Sequence, residues 1–311
     1  MAEQELLSAL RSDSLVRSLV AKCRFPDPPF GGDQFWCAVS GGSDSSALAL
    51  LGVAAEMPVG LIHVDHGLRP GSDQEAGVVG LLAERLGVAF VSHQVQIGSG
   101  PNLEERARQA RYGVLPAGVW TGHTADDLAE TVLINLLRGA GPDGVASMAR
   151  LTVGGPRRPL LGLRRTETVE LCQRLGVAVV ADPMNDDPAF LRVRVRHHVM
   201  ALLSDVANRD VATLLARHAE ITAADVDLLD ELSAGVDPGA RWGLRGVAEP
   251  LARRAIRRWL VSNGVGHGRV VDAASVDRVL AVALGDGVAC EVDGGWRVAR
   301  RDGRLCVEPK R

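Results

Sequence analysis

Ser40-Gly41-Gly42-Ser43-Asp44-Ser45 follows the apolar run 35–39 (Phe-Trp-Cys-Ala-Val) and precedes the alanine- and leucine-rich run 46–55. Apolar strand, glycine turn and helix is the reading that fits this order. The glycines allow a sharp turn and close backbone approach to a ligand. The serine hydroxyls and the N–H groups at the helix start are donors, and the helix dipole favours an anion there. Asp44 adds a carboxylate beside that anion, which makes sense if Mg²⁺ sits between them. No Gly-Lys-Ser/Thr follows, so the loop is not a Walker A motif, and it is not a G-x-G-x-x-G dinucleotide turn.

Working outward, strands are expected at 35–39, 59–64, 88–95 and 118–121. They alternate with helices at 44–55, 72–86, 102–115 and 124–137. This alternation predicts an α/β fold with a doubly wound parallel sheet, covered on both faces. Ligands of such sheets lie beyond the carboxyl ends of the strands. Three polar clusters fall there: 40–45, 63–69 and 122–127. An amphipathic helix over 6–23 is expected to precede the sheet.

After about residue 150 the pattern changes. A basic segment punctuated by Pro and Gly covers 157–165, and helices are expected at 166–175, 193–203, 211–232, 251–260 and 273–284. A short strand is expected at 177–180, and the Asp/Asn/Pro cluster at 182–188 reads as a loop. Small strands are expected at 288–292, 296–299 and 304–307. The predicted organisation is a catalytic domain over 1–205 and a smaller, mainly helical domain with a short C-terminal β element over 206–311.

No apolar run approaches the roughly 20 residues of a membrane span. The segment 1–5 lacks a basic region followed by an apolar core, so no secretory signal is expected. The five cysteines are scattered and none forms C-x-x-C, which argues against structural zinc and fits a reducing cytoplasm. Residues 1–150 carry 11 Lys+Arg against 17 Asp+Glu, whereas 151–311 carry 24 against 21, so positive charge is concentrated in the second part. Lys22 and Lys310 are the only lysines. An RNA partner would meet arginines: Arg157, Arg158, Arg164 and Arg165, then Arg192, Arg194, Arg196 and His197, then Arg253, Arg254, Arg257 and Arg258 on one predicted helix.

Several segments together carry a resemblance. Ser40–Ser45 resembles the PP-loop of the N-type ATP pyrophosphatases, whose fold is adenine nucleotide α-hydrolase-like. His63-Val64-Asp65-His66-Gly67-Leu68-Arg69, Asn102 to Tyr112 and Thr121-Gly122-His123-Thr124-Ala125-Asp126-Asp127-Leu128-Ala129-Glu130-Thr131 extend it. So do Arg158-Pro159-Leu160-Leu161 and the Asp182 to His197 segment. In combination they are similar to the tRNA(Ile)-lysidine synthetases. The sequence departs from that pattern at Ser43, at Thr124 where a second histidine is common, and at Val193 where asparagine is usual.

The resemblance implies ATP and Mg²⁺ as cofactors, and lysine and an isoleucine tRNA with a CAU anticodon as partners. It allows a homodimer. ATP would adenylylate the 2-carbonyl oxygen of the wobble cytidine, and the lysine side-chain amine would displace AMP. ATP would be bound by Ser40, Gly41, Gly42, Ser43, Asp44 and Ser45, with His63 and His66 adjacent and Asp44 on the metal. Asp44, Arg111, His123, Asp126 and Glu130 are the candidate catalytic residues. Asp126 and Glu130, four apart on one helix face, are expected to hold the lysine ammonium.

Three rival readings compete with it. A tRNA 2-thiolation enzyme commonly needs cysteine pairs, an amidotransferase needs a glutaminase domain, and a non-catalytic nucleotide sensor does not need His123, Asp126 and Glu130.

Overall fold

Two helices, α1 (Glu3–Ser12) and α2 (Ser14–Val20), precede the first strand. The single helix expected over 6–23 is broken at Asp13, whose backbone is extended and whose carboxylate accepts the Leu15 N–H at 2.7 Å. The same carboxylate pairs with Arg174 at 2.6 Å, so the break also ties the N-terminal segment to the body of the unit. The computed structural model describes residues 3–27, 34–65, 67, 72–96, 103–180, 187–266 and 271–309.

Then strand and helix alternate: β1 (Phe35–Ala38), α3 (Ser43–Ala54), β2 (Val59–Asp65), α4 (Ser72–Leu86), β3 (Phe90–Gln94), α5 (Leu103–Val114), β4 (Trp120–Thr121) and α6 (Ala125–Leu137). The four strands form one parallel sheet in the order β3-β2-β1-β4. Strand order reverses between β1 and β4, and that reversal opens a crevice at their carboxyl ends. α3 is buried almost throughout; Leu48, Leu50 and Leu51 are fully inaccessible, and α1, α2 and the sheet pack against it. Each buried leucine contributes about 1.5–3 kcal/mol of transfer free energy, so the core is centred on the helix that carries the glycine loop. Trp120 closes the edge, stacking on Phe35 at 4.5 Å between ring centroids.

Next come α7 (Pro142–Ala146), α8 (Arg165–Arg174), α9 (Leu191–Arg194), a π-helical turn over Val195–Val199, α10 (Met200–Ala207) and α11 (Val211–Ser233). The strand expected over 177–180 does not form; Val180 instead makes a single backbone bond to the glycine loop. The chain falls into two compact units, Met1–Ala223 and Ala224–Arg311. Their division lies within α11, whereas the sequence pattern places the boundary at 205. No composition break marks that point, because the helix runs through it.

The second unit holds α12 (Glu249–Ser262), α13 (Ala273–Leu284) and an antiparallel sheet of β5 (Ala289–Val292), β6 (Trp296–Arg301) and β7 (Arg304–Pro309). Ile256, Leu260, Val276, Val279 and Val298 form its core. Among the described residues no helix is long and apolar enough to cross a membrane.

Candidate active site

The turns that follow β1 and β4 meet. Gly41 has φ +88°, and a Cβ there would stand 2.8 Å from Val180 Cγ2. A Cβ on Gly122 would stand 2.6 Å from the carbonyl oxygen of Asp44. Glycine at 122 lets the turn after β4 close on the start of α3, and glycine at 41 lets Val180 pack against the loop. Ser45 fixes the loop from within: its hydroxyl donates to Gly42 O at 3.0 Å and accepts the Ser40 N–H at 3.1 Å. Gly42 is the N-cap of α3, and Ser43 and Asp44 open the helix. The first-turn N–H groups have no intrahelical acceptor, so the loop is a ready anion site.

His63 is buried on β2. Its Nδ1 lies 2.8 Å from Val39 O, a carbonyl that can only accept, so Nδ1 carries the proton. Nε2 is left as a buried acceptor with no partner among the described residues. His66 and the segment 181–186 lie outside the described residues.

α6 begins with a capping box. The Thr124 N–H and hydroxyl donate to Asp127 Oδ2 at 2.8 and 3.0 Å. The other Asp127 oxygen meets Arg165 Nη2 at 2.9 Å and Arg192 Nη2 at 3.1 Å. Glu130, one turn on and about 1% exposed, accepts from three arginines. Arg192 Nε and Arg196 Nε each lie at 2.7 Å, and Arg165 Nη1 at 3.1 Å. Arg165 also reaches Asp44 Oδ2 at 3.3 Å, and the Thr168 hydroxyl donates to Asp44 Oδ1. Asp126 faces elsewhere: the Arg164 fork holds it at 2.7 and 3.0 Å, and it accepts the Arg165 N–H at the start of α8. Asp44, Asp126, Asp127 and Glu130 are thus matched by Arg164, Arg165, Arg192 and Arg196.

Burial raises the Asp44 carboxyl and neighbouring Asp127 adds to the rise, which Thr168 and Arg165 offset only in part. For Asp127 burial also acts upward, but Arg165 and Arg192 outweigh it and bring the carboxyl down to about 2. Among Asp44, Asp126 and Asp127, only Asp44, at the helix start beside the anion loop, has its charged form disfavoured.

His123 donates to or accepts from Thr121 Oγ1 at 2.8 Å. Burial holds its imidazole down at about 4; Asp127 opposes this, while Arg158, Arg192 and Arg108 reinforce it. The ring is neutral at pH 7 and suits hydrogen bonding more than charge pairing. A histidine with a depressed folded-state value disfavours folding once the unfolded ring is protonated. Wild-type stability should therefore fall as pH drops from about 6.5 to about 4. The steepest slope from this one group is about 1.4 kcal/mol per pH unit. Denaturant titrations of wild type and His123→Gln at stepped pH check this: the variant should show a flatter profile in that window, and a parallel profile would remove the assignment.

The structure brings Asp44, His123, Asp127 and Glu130 together with the loop, and it turns Asp126 to Arg164. Arg111 lies exposed on α5. Arg192 and Arg196, expected on RNA, point inward onto Glu130, and His197 is exposed. On α12, Arg253 pairs with Glu249 and Asp277, Arg254 with Asp230 at 2.5 Å, and Arg258 donates to Ser233 O at 2.6 Å. Arg257 is half-buried, with its Nε enclosed. These side chains hold the second unit together. By sequence alone Asp127 reads as a helix-end charge, and Arg164 and Arg165 as part of a basic surface. The available signal was the sign match between two acidic residues opening α6 and two arginines opening α8.

A parallel sheet with a Ser-Gly-Gly loop at its switch point and a carboxylate on the next helix start defines a PP-loop ATP-binding protein, and residues 14–203 match the family described as PP-loop domain. A tRNA(Ile)-lysidine synthase of Nocardia farcinica is 38% identical over 287 residues, covering 87% of this chain and 90% of that protein. Those of Mycolicibacterium paratuberculosis and Salinispora arenicola are 39% and 40% identical, covering 97% and 87% of this chain and 99% and 89% of theirs. The chain belongs to the tRNA(Ile)-lysidine synthase family. A U34-tRNA thiolase from Methanococcus maripaludis shares the fold at 17% identity, with a TM-score of 0.52 over 71% of this chain and 80% of that one.

Proposed function

We propose that the enzyme ligates lysine to the wobble cytidine of an isoleucine tRNA with a CAU anticodon, in the cytoplasm, using ATP and Mg²⁺. The observation that carries this is the buried carboxylate–arginine cluster set directly against the anion loop. Nucleotide binding alone does not call for it. A reaction that handles both phosphates and an ammonium does.

The residues fit both ATP and a divalent cation. The loop supplies N–H and hydroxyl donors for phosphate, and the unpartnered His63 Nε2 can accept from the nucleoside. Asp44, its carboxyl raised by burial and by neighbouring Asp127, would be stabilised in its charged form by a divalent cation beside the loop. Mg²⁺ held by Asp44 would neutralise phosphate charge as the adenylate forms.

The cytosine 2-carbonyl oxygen attacks the α-phosphorus and pyrophosphate leaves. The lysine amine then attacks the cytosine C2 that bears the adenylated oxygen, the C2–O bond breaks, and AMP departs with that oxygen. The chain's task in the first step is to hold the phosphates in line over α3. In the second it must seat an ammonium that loses its proton before attack, since free lysine has a pKa of about 10.4. Arg192 and Arg196 each hold Glu130 through Nε at 2.7 Å, whereas Arg165 is shared among Asp44, Asp127 and Glu130 at 3.3, 2.9 and 3.1 Å. Arg165 is the cation that yields. The lysine ammonium takes its place on Asp127 and Glu130, and the freed guanidinium turns to phosphate. Asp126 then serves to fix Arg164 and the start of α8 rather than to bind lysine.

Incubating the enzyme with ATP, labelled lysine and the tRNA separates the rivals. Lysine should enter the tRNA with one AMP released per transfer. Sulfur transfer in its place, or ATP binding without any transfer, would refute the reading.

A further inference from the structure

The second unit contains a cavity of about 330 Å³ lined by Trp242, Arg245, Leu284, Arg300 and Leu305. This is within the range of small-molecule sites, roughly 300–1,000 Å³. We propose that this cavity binds one unpaired nucleotide of the tRNA, with its base stacked on the Trp242 indole and its phosphate held by Arg245 and Arg300. The proposal rests on the tRNA being the substrate.

Trp242 is built for display. It has φ +59°, a left-handed backbone that a bulky residue rarely adopts, and the residue stays 46% exposed. The conformation is held by its N–H, which donates to Gly303 O at 2.7 Å in the β6–β7 turn. A Cβ on Gly303 would lie 2.7 Å from the indole, so only glycine lets the ring rest against that turn. Backbone strain of this kind persists only where surrounding structure imposes it. A tryptophan serving packing alone would be buried in the nearby core, as Trp259 partly is.

The charge at its rim is uncommitted, whereas a further arginine already lies on the ring. Arg300 lies over the indole at 5.7 Å from the ring centroid. Arg241 and Arg245 flank Trp242 in sequence and Arg304 follows Gly303; all three are exposed, and none makes an ion pair among the described residues. This contrasts with Arg253, Arg254 and Arg258 of the same unit, which are engaged within it. An aromatic face with unpaired arginines at its rim matches a base and its phosphate, and stacking of this kind tolerates any base identity.

The test uses the full chain with transcribed isoleucine tRNA carrying a CAU anticodon. Trp242→Ala should raise the tRNA KM about fivefold or more while kcat at saturating tRNA stays near wild type; Trp242→Phe, which keeps a ring, should restore most of the affinity. Arg245→Ala with Arg300→Ala should lower the log–log salt slope of binding by about 0.7–0.9 for each phosphate interaction removed. Independently of any variant's folding, tRNA substituted with 5-iodouridine or 5-iodocytidine should photo-crosslink to the wild-type peptide carrying Trp242. An unchanged KM in Trp242→Ala with no crosslink at that peptide would overturn the proposal even if lysine transfer is normal. A change in sedimentation without a change in tRNA binding would assign the cavity to a protein contact and overturn it too. Failure of wild type to modify the tRNA at all would strike the proposed function instead.

Discussion

Glu130→Gln lowers lysine transfer by about a hundredfold or more and raises the KM for lysine, while adenylated tRNA accumulates. The carboxylate is buried and accepts from Arg165, Arg192 and Arg196, so its neutralisation leaves three guanidinium groups with only Asp127 and, for Arg165, Asp44 as nearby anions. Leaving buried charge unpaired costs about 3–5 kcal/mol. For a unit of this size that is roughly 10 °C in Tm, with 1 kcal/mol worth about 2–4 °C. Quench-flow with labelled ATP resolves the step. If the variant forms no adenylate at all, Glu130 belongs to the ATP site and the lysine pocket lies elsewhere. Asp126→Asn is the control: it gives up the pairing with Arg164 and should destabilise α8 with little change in lysine KM.

Asp44→Asn gives the complementary result. The substitution keeps the shape and the acceptor for Thr168 but removes the charge. Adenylate formation should fall by about 10²–10³-fold, the scale of losing one preorganised electrostatic partner in a site where charge develops. The fold should hold, because the Asp44 carboxyl is already raised by burial and its removal relieves repulsion with Asp127. Thermal melts should therefore match or exceed wild type while adenylate formation collapses. Normal adenylylation in this variant would remove Asp44 from the metal and phosphate site.

The parallel sheet was legible because each strand begins with apolar residues and each helix follows at regular spacing. The glycine loop was legible for the same reason: strand, turn and helix are all local in sequence. The carboxylate–arginine cluster was only half legible. Asp127 and Glu130 are three apart on α6, but their partners stand on α8, on α9 and in the π-turn after it, 35 to 66 residues away. Periodicity says which face a side chain shares, not which distant charge it meets. The same limit explains α12. Four arginines within six residues read as a phosphate surface, yet Asp230, Ser233 and Asp277 come from other helices or their ends to meet three of them. Trp242 carried no local signal, because its display depends on a left-handed backbone held by a turn 61 residues further on.

In the proposed reaction the cytosine 2-carbonyl oxygen, once adenylylated, leaves with AMP. The most direct measurement uses tRNA whose wobble cytidine carries ¹⁸O at that oxygen, turned over with ATP and lysine and analysed by mass spectrometry of the released nucleotide. AMP should gain the heavy oxygen, one per lysine incorporated, while pyrophosphate stays light. AMP that stays light as lysine enters the tRNA would contradict it, because the carbonyl oxygen would then have left by a path that never joined the α-phosphorus.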